Sequence, residues 1–209
     1  MQEPLIIAVT GGMGCGQSTV CKFLRRQGVK VINADQAAKQ EIESNPEIKS
    51  ELKNAFGSKV FYHNGKLNRK YLARIAFSDE AKTQRLNRIV HPQMVSRIIE
   101  MIEEARESGK YKIIAVDAAL IYELNLESMF DAVVVVIARL KQRIERVKAR
   151  DNLSEKEIVD RINKQLPIHE KVKWADFVVY NYTDMSKLEQ NTRRLYRSLL
   201  DLWQKKNSE

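Results

Sequence analysis

The chain predicts an α/β fold: a doubly wound parallel sheet of about five strands, with helices on both faces, a helical insertion and a helical lid. Three observations lead there. Short, unbroken apolar runs such as Leu5-Ile6-Ile7-Ala8-Val9 and Ala132-Val133-Val134-Val135-Val136-Ile137 have the composition of strands buried on both faces. Amphipathic stretches of helical spacing alternate with such runs. At the start of the chain, strand, glycine-rich turn, helix and second strand succeed one another within about thirty residues, as a right-handed crossover requires.

Taken in order, residues 5–9 form the first strand and residues 10–16 the turn. Ser18 opens an amphipathic stretch, with Val20, Phe23 and Leu24 apolar against Lys22, Arg25 and Arg26, and Gly28 ends it. Residues 29–33 give a second strand. From Asp35 to Gly109 the pattern is helical. Asn45-Pro46 starts one helix, Asn64-Gly65 marks a turn, and Tyr71, Leu72, Ile75, Ala76 and Phe77 share a helical face. Pro92 is expected to open the helix carrying Met94, Val95, Ile98, Ile99 and Ile102. Residues 111–116 form a third strand ending in Asp117, and residues 132–137 a fourth. A basic helix follows over 139–150. Ser154 and Glu157 have capping-box spacing for a helix through Gln165. Residues 177–180 form a fifth strand, residues 185–203 a closing helix, and Trp174 and Trp203 read as packing residues. The core thus comprises 1–34, 110–138 and 171–209, with insertions at 35–109 and 139–170.

Composition bounds the function. The 209 residues are 44% hydrophobic and 30% charged, ordinary for a globular chain, and no apolar run approaches the roughly 20 residues that span a bilayer. The first apolar run enters a glycine loop with no basic segment ahead of it, so it reads as a strand and not a signal peptide. Cys15 and Cys21 are too few for a disulfide framework or a metal site and suit a cytoplasmic protein. Cys15, within the glycine loop, is open to activation by a helix N-terminus. A net charge of +9 suits an anionic partner, whether nucleotide, phosphorylated cofactor or nucleic acid. The basic residues are interleaved with acidic ones and no aromatic-basic platform is visible, so no specific nucleic acid and no membrane is expected. A monomer or small homo-oligomer is expected.

Gly11-Gly12-Met13-Gly14-Cys15-Gly16-Gln17-Ser18-Thr19 nearly matches the phosphate-binding loop G-x-x-x-x-G-K-[ST]. Glycines let successive backbone N–H groups converge on phosphate oxygens, and the following helix adds the positive end of its dipole. Gly12, Gly14, Cys15, Gly16, Gln17, Ser18 and Thr19 are the candidate nucleotide contacts, with Ser18 placed to ligate Mg²⁺. With two helical insertions this is the layout of a small kinase. Position 17, where the motif has lysine, is glutamine. Losing one charged transition-state donor in such a site costs about 2.7–4 kcal/mol, roughly a hundred- to thousandfold in rate, while the backbone cradle survives.

Other candidates lie at strand ends. Asp35, just past the second strand, is a candidate general base or a helix N-cap. Asp117 ends the third strand in the manner of a Walker-B acid and is a candidate Mg²⁺ ligand. Arg139, Arg143, Arg146 and Arg150 recur at spacings that put them on one helix face, which suggests an anionic partner or a solvated basic surface. His91, before Pro92, is a structural or a functional histidine.

Together these residues resemble the dephospho-CoA kinase family along most of the chain. The resemblance is carried by the glycine loop, by Val31-Ile32-Asn33-Ala34-Asp35, and by Gly65-Lys66-Leu67-Asn68-Arg69 with Leu72 and Phe77. It continues in His91-Pro92, in Asp117-Ala118-Ala119-Leu120-Ile121-Tyr122-Glu123, and in Arg146, Arg150-Asp151, Arg161, Gln165, Lys171 and Ala175-Asp176. It implies transfer of the ATP γ-phosphate, with Mg²⁺, to the ribose 3′-hydroxyl of dephospho-CoA. Asp35 would be the base, Arg69, His91 and Asp117 would lie near the acceptor, and Arg146 or Arg150 would close over the phosphates. Gln17, Asn33 and Ala119 depart from the family pattern. Two alternatives stay open: a nucleotide-binding protein weakened in catalysis, and a kinase for another nucleoside or nucleotide.

Overall fold

A computed structural model describes residues 2–208. Among these, the elements run β1 (Leu5–Gly11), α1 (Gln17–Arg26), β2 (Lys30–Asn33), α2 (Ala34–Ser44), α3 (Pro46–Phe56), α4 (Arg69–Ala76), α5 (Glu80–Glu107) and β3 (Ile113–Asp117). Then follow β4 (Ala132–Ile137), α6 (Leu140–Asp151), α7 (Glu155–Asn163), α8 (Ile168–Lys173), β5 (Phe177–Tyr180) and α9 (Met185–Lys206). The strands form one sheet in the order β2-β3-β1-β4-β5. β1 pairs in parallel with β3 and β4, and β4 in parallel with β5. The expected doubly wound α/β sheet is therefore present, and its order reverses beside β1, where open α/β sheets bind ligands.

All seven residues of β1 are buried, and successive ones face opposite sides. Leu5, Ile7 and Val9, with Val134 and Val136, pack against Phe23 and Leu24 of α1 and Leu195, Leu199 and Trp203 of α9. Ala8, Val133 and Val135 face the other way, toward Ile121, Tyr122 and the α8 residues Ile168 and Val172. Apolar cover on both faces is why these strands read as unbroken apolar runs.

Residues Asn33–Glu103 form a second compact unit, built on helices. Its core joins Ile42, Ile48, Leu52, Phe56, Val60, Leu67, Leu72 and Ala76, with Leu86, Ile89 and Val90 packed against them. Asn45 caps α3 by accepting from the N–H groups of Glu47 and Ile48, with Pro46 at the first helical position.

Pro92 does not open a helix. It lies inside α5, which runs unbroken from Glu80 to Glu107. An internal proline costs about 3 kcal/mol through its missing donor and ring clash. Burying each large apolar side chain returns roughly 1.5–3 kcal/mol. Ile89 and Val90 before the proline are packed, and Ile98 and Ile102 after it are buried, so the sum favours helix on both sides. Trp174 is also not a core residue. It ends the short helix α8, is 55% exposed, and touches the Tyr122 ring at 5.5 Å between centroids. Trp203 is buried, as expected.

Candidate functional site

The buried strand β1 delivers the glycine loop at its C-terminal end. Gly14 (φ 78°) and Gly16 (φ 92°) occupy the left-handed region, where a side chain would be strained. Gly16 is the N-cap of α1, and its carbonyl accepts from Thr19 and Val20. No side chain caps this helix, and its first turn holds no acidic residue. The N–H groups of Gly14, Gly16, Gln17 and Ser18 donate to no described residue. Free donors at the positive end of a helix dipole form a cradle for an anion.

Carbonyls of the loop, by contrast, accept from side chains of distant elements. Asn181, just beyond β5, donates from Nδ2 to the Cys15 carbonyl at 2.8 Å, and Arg143 of α6 donates from Nε to the Met13 carbonyl at 2.8 Å. Gln165 Oε1 accepts from the Met13 N–H at 2.8 Å. Arg146 reaches the carbonyl and side-chain oxygens of Asn181 at 3.4 and 3.3 Å. These bonds fix the loop backbone in place before any ligand binds, as a preorganised site requires. Arg143 and Asn181 were not singled out as loop contacts in the sequence. The one available signal for Asn181 was its position just past a parallel strand. The signal for Arg143 was its helical spacing four residues before the buried Val147, on a face it shares with Arg139, Arg146 and Arg150.

Gln17, the first residue of α1, donates from Nε2 to the Val9 carbonyl at 2.9 Å and to Asp117 Oδ1. Asp117 ends β3 and is 7% exposed. Cys21, one turn beyond Gln17, also bonds to Asp117; burial first, then the Asp117 charge, pushes its thiol well above the usual range, which keeps it protonated. Cys15 is fully buried, which removes the access that a reactive thiol requires. Ser18 is exposed. Ser18 and Asp117 offer a hydroxyl and a carboxylate, and the described residues contain no group of three or more His, Cys, Asp or Glu able to hold a metal. Two oxygen donors suit Mg²⁺, which retains waters and takes phosphate oxygens, and do not suit a dedicated protein cage.

Beside the loop lies a cavity of about 320 Å³, lined by Gly14, Gly16, Thr19, Arg146, Arg150 and Asn181 among others. The four arginines expected on one face are separated by their surroundings. Arg143 is buried and Arg146 half-buried; Arg139 is exposed beside the Tyr182 ring. Arg150 binds Asp151 through two bonds of 2.7 and 2.8 Å, which raises the arginine's pKa and lowers the aspartate's.

In the helical unit, Asp35 is the second residue of α2 and is exposed. It is not the N-cap: Asn33 takes that role, accepting from the Gln36 N–H at 2.8 Å. Asn33 ends β2 with extended backbone, which is the geometry a cap needs, whereas Asp35 already lies in the helix. Arg69 is the exposed first residue of α4, capped by Asn68. His91 is half-buried within α5, and burial lowers its pKa.

Comparison with known proteins supplies the family. The family model described as dephospho-CoA kinase matches residues 5–187. The dephospho-CoA kinase of Listeria monocytogenes is 34% identical over 184 residues, covering 88% of this chain and 92% of that one. That of Chlorobium luteolum is 36% identical over 203 residues, covering 95% and 92%. The crystal structure of TT1252 from Thermus thermophilus superposes with a TM-score of 0.80 at 30% identity, covering 94% of this chain and 97% of that one. With its phosphate-binding loop, parallel sheet and near full-length similarity, the chain belongs to the dephospho-CoA kinase family.

Proposed function

We propose that this protein transfers the γ-phosphoryl group of MgATP to the ribose 3′-hydroxyl of dephospho-CoA, yielding CoA and ADP. The observation that carries the reading is the loop's polarity: the Met13 and Cys15 carbonyls are held by side chains of distant elements, while the N–H groups of Gly14, Gly16, Gln17 and Ser18 donate to no described residue. Such a cradle is preorganised for the phosphate charge that builds in transfer. Asp35 takes the proton of the 3′-hydroxyl, whose oxygen bonds to the γ-phosphorus as the bond to the β–γ bridging oxygen breaks and ADP leaves. Arg69 and His91 serve the acceptor, and Arg146 and Arg150, which line the cavity beside the loop, serve the nucleotide. Ser18 and Asp117 hold Mg²⁺, which neutralises charge on the terminal phosphates when bound. The core is 1–34, 110–138 and 171–209, with 35–109 as acceptor segment and 139–170 as lid. Among the described residues no helix is long and apolar enough to cross a membrane.

The test is ADP release from MgATP with dephospho-CoA, with the 3′-phosphate of the product identified by mass. Formation of CoA supports the reading; saturating substrates without product overturn it. A second reading rests on Gln17, whose amide is already committed to Asp117 and Val9. It is a nucleotide-binding protein weakened in turnover, and it predicts ATP binding with no phosphoryl transfer.

A further inference from the structure

Arg143 is 5% exposed, yet among the described residues no carboxylate pairs with it. Its side-chain bond is from Nε to the Met13 carbonyl, at 2.8 Å. The guanidinium lies on Gly12: a Cβ there would come 2.5 Å from Nη2 and 2.9 Å from Cζ. Any residue but glycine at position 12 would push the arginine away. A buried charge without a counter-charge is among the least favourable arrangements in a protein, and a carbonyl satisfies only part of a five-donor group. The arrangement becomes favourable once an anion binds in the loop.

Gln17 is neutral and bonded to Asp117 and Val9, and Arg150 is paired with Asp151. Arg146 also meets only neutral oxygens, of Gly14 and Asn181 at 3.3–3.5 Å, but it is half-buried, whereas Arg143 is 5% exposed and lies on the loop backbone itself. We infer that Arg143, pressed against Gly12 and without a carboxylate partner, supplies the phosphate cradle with the positive charge that position 17 does not. It is a positioning residue that acts through the loop: it holds the Met13 carbonyl and sets its charge behind Gly12. On a side chain that is only 5% exposed, the field is screened less than at the surface. The inference rests on the reading of this loop as a triphosphate site and deepens it.

The test is equilibrium binding of ATP, ADP and adenosine, with EDTA present so that no metal contributes. It uses the full-length protein and its R143K, R143M, Q17K and Q17K/R143M variants, each checked by thermal melting. R143M weakens ATP about ten- to a hundredfold, as expected for the loss of a charge-assisted interaction, and leaves adenosine unchanged. ADP falls in between. R143K retains most of the ATP affinity. Q17K restores ATP binding to the R143M protein and gains less in the presence of Arg143, because the two charges serve the same phosphates. Equal loss of ATP and adenosine in R143M, or an equal Q17K gain in both backgrounds, overturns the inference. If R143M does not fold, R143K carries the test: a retained ratio of ATP to adenosine affinity supports the charge, and its collapse overturns it. Wild-type protein that binds no ATP would overturn the kinase reading and this inference together. ATP binding indifferent to R143M overturns the inference alone.

Discussion

Around the glycine loop, Gln17, Asp117, Arg143, Arg146 and Arg150 each hold a hydrogen bond or an ion pair in the protein. In the helical unit, Asp35 and Arg69 stand exposed, and their side chains bond to no described residue. The contrast fits a division of labour. A phosphate cradle must be rigid before charge develops, because reorganising dipoles during transfer would raise the barrier. A base and an acceptor contact have no work until the acceptor arrives, so neither needs a fixed partner in the resting protein. A substitution in the first group should therefore affect stability or nucleotide binding, and one in the second group should affect acceptor binding or turnover while leaving stability and ATP binding intact.

The sharpest test of that contrast is Asp35→Asn. With no bond to lose in the resting protein, the variant should melt within about 0.5 kcal/mol of wild type and bind ATP normally. Its kcat should fall roughly a hundred- to ten-thousandfold if the carboxylate is the general base. Unchanged kcat would remove Asp35 from the chemistry, and a large loss of stability would break the contrast itself.

Lys171→Met probes the opposite case in the sheet unit. Lys171 is fully buried, 2.7 Å from Glu123, and also donates to the Ala119 carbonyl at 2.9 Å. Glu123 accepts in turn from the Leu166 N–H at 3.0 Å. Removing the lysine leaves a carboxylate with little water and no cation, which costs about 3–5 kcal/mol in chemical denaturation. Adding Glu123→Gln should recover a large part of that loss, because the stranded charge goes with it. A single variant as stable as wild type would show that the pair contributes nothing net.

What could be read from the sequence follows from what is local. β4 and β5 match the expected limits because a strand covered on both faces is a continuous apolar run. The Ser154–Glu157 capping box was legible because its two bonds lie three residues apart. The glycine loop was legible because its φ values demand glycine at Gly14 and Gly16. The loop's fastenings were not, since Asn181, Gln165 and Arg143 reach it from 130 to 166 positions away, and nothing near them in sequence marks the partner. The same distance hid the fate of Pro92. Its local signal is a helix start, and only packing on both sides of it keeps α5 continuous. The cap offered to Asp35 falls to Asn33 for a reason that is local but finer than composition: the cap belongs to the residue with extended backbone, and that is Asn33.

The smallest effect expected is a pH dependence, and its sign separates the two units once more. His91 is the half-buried titratable candidate of the helical unit, and desolvation lowers its pKa below the usual 6.5. The folded protein then binds fewer protons at this site than the unfolded chain. Its contribution to stability is complete above about pH 6.5 and is lost as the pH falls through the lowered folded value. Denaturation followed from pH 7.5 downward should show a shallow loss in wild type that His91→Phe reduces, by less than one proton's worth of slope. The opposite sign, with wild type gaining stability relative to the variant on acidification, would mean that His91 is charged against a carboxylate in the resting protein. His91 would then belong with the prepaired groups of the sheet unit and not with Asp35 and Arg69, and the division drawn between the units would fail at this residue.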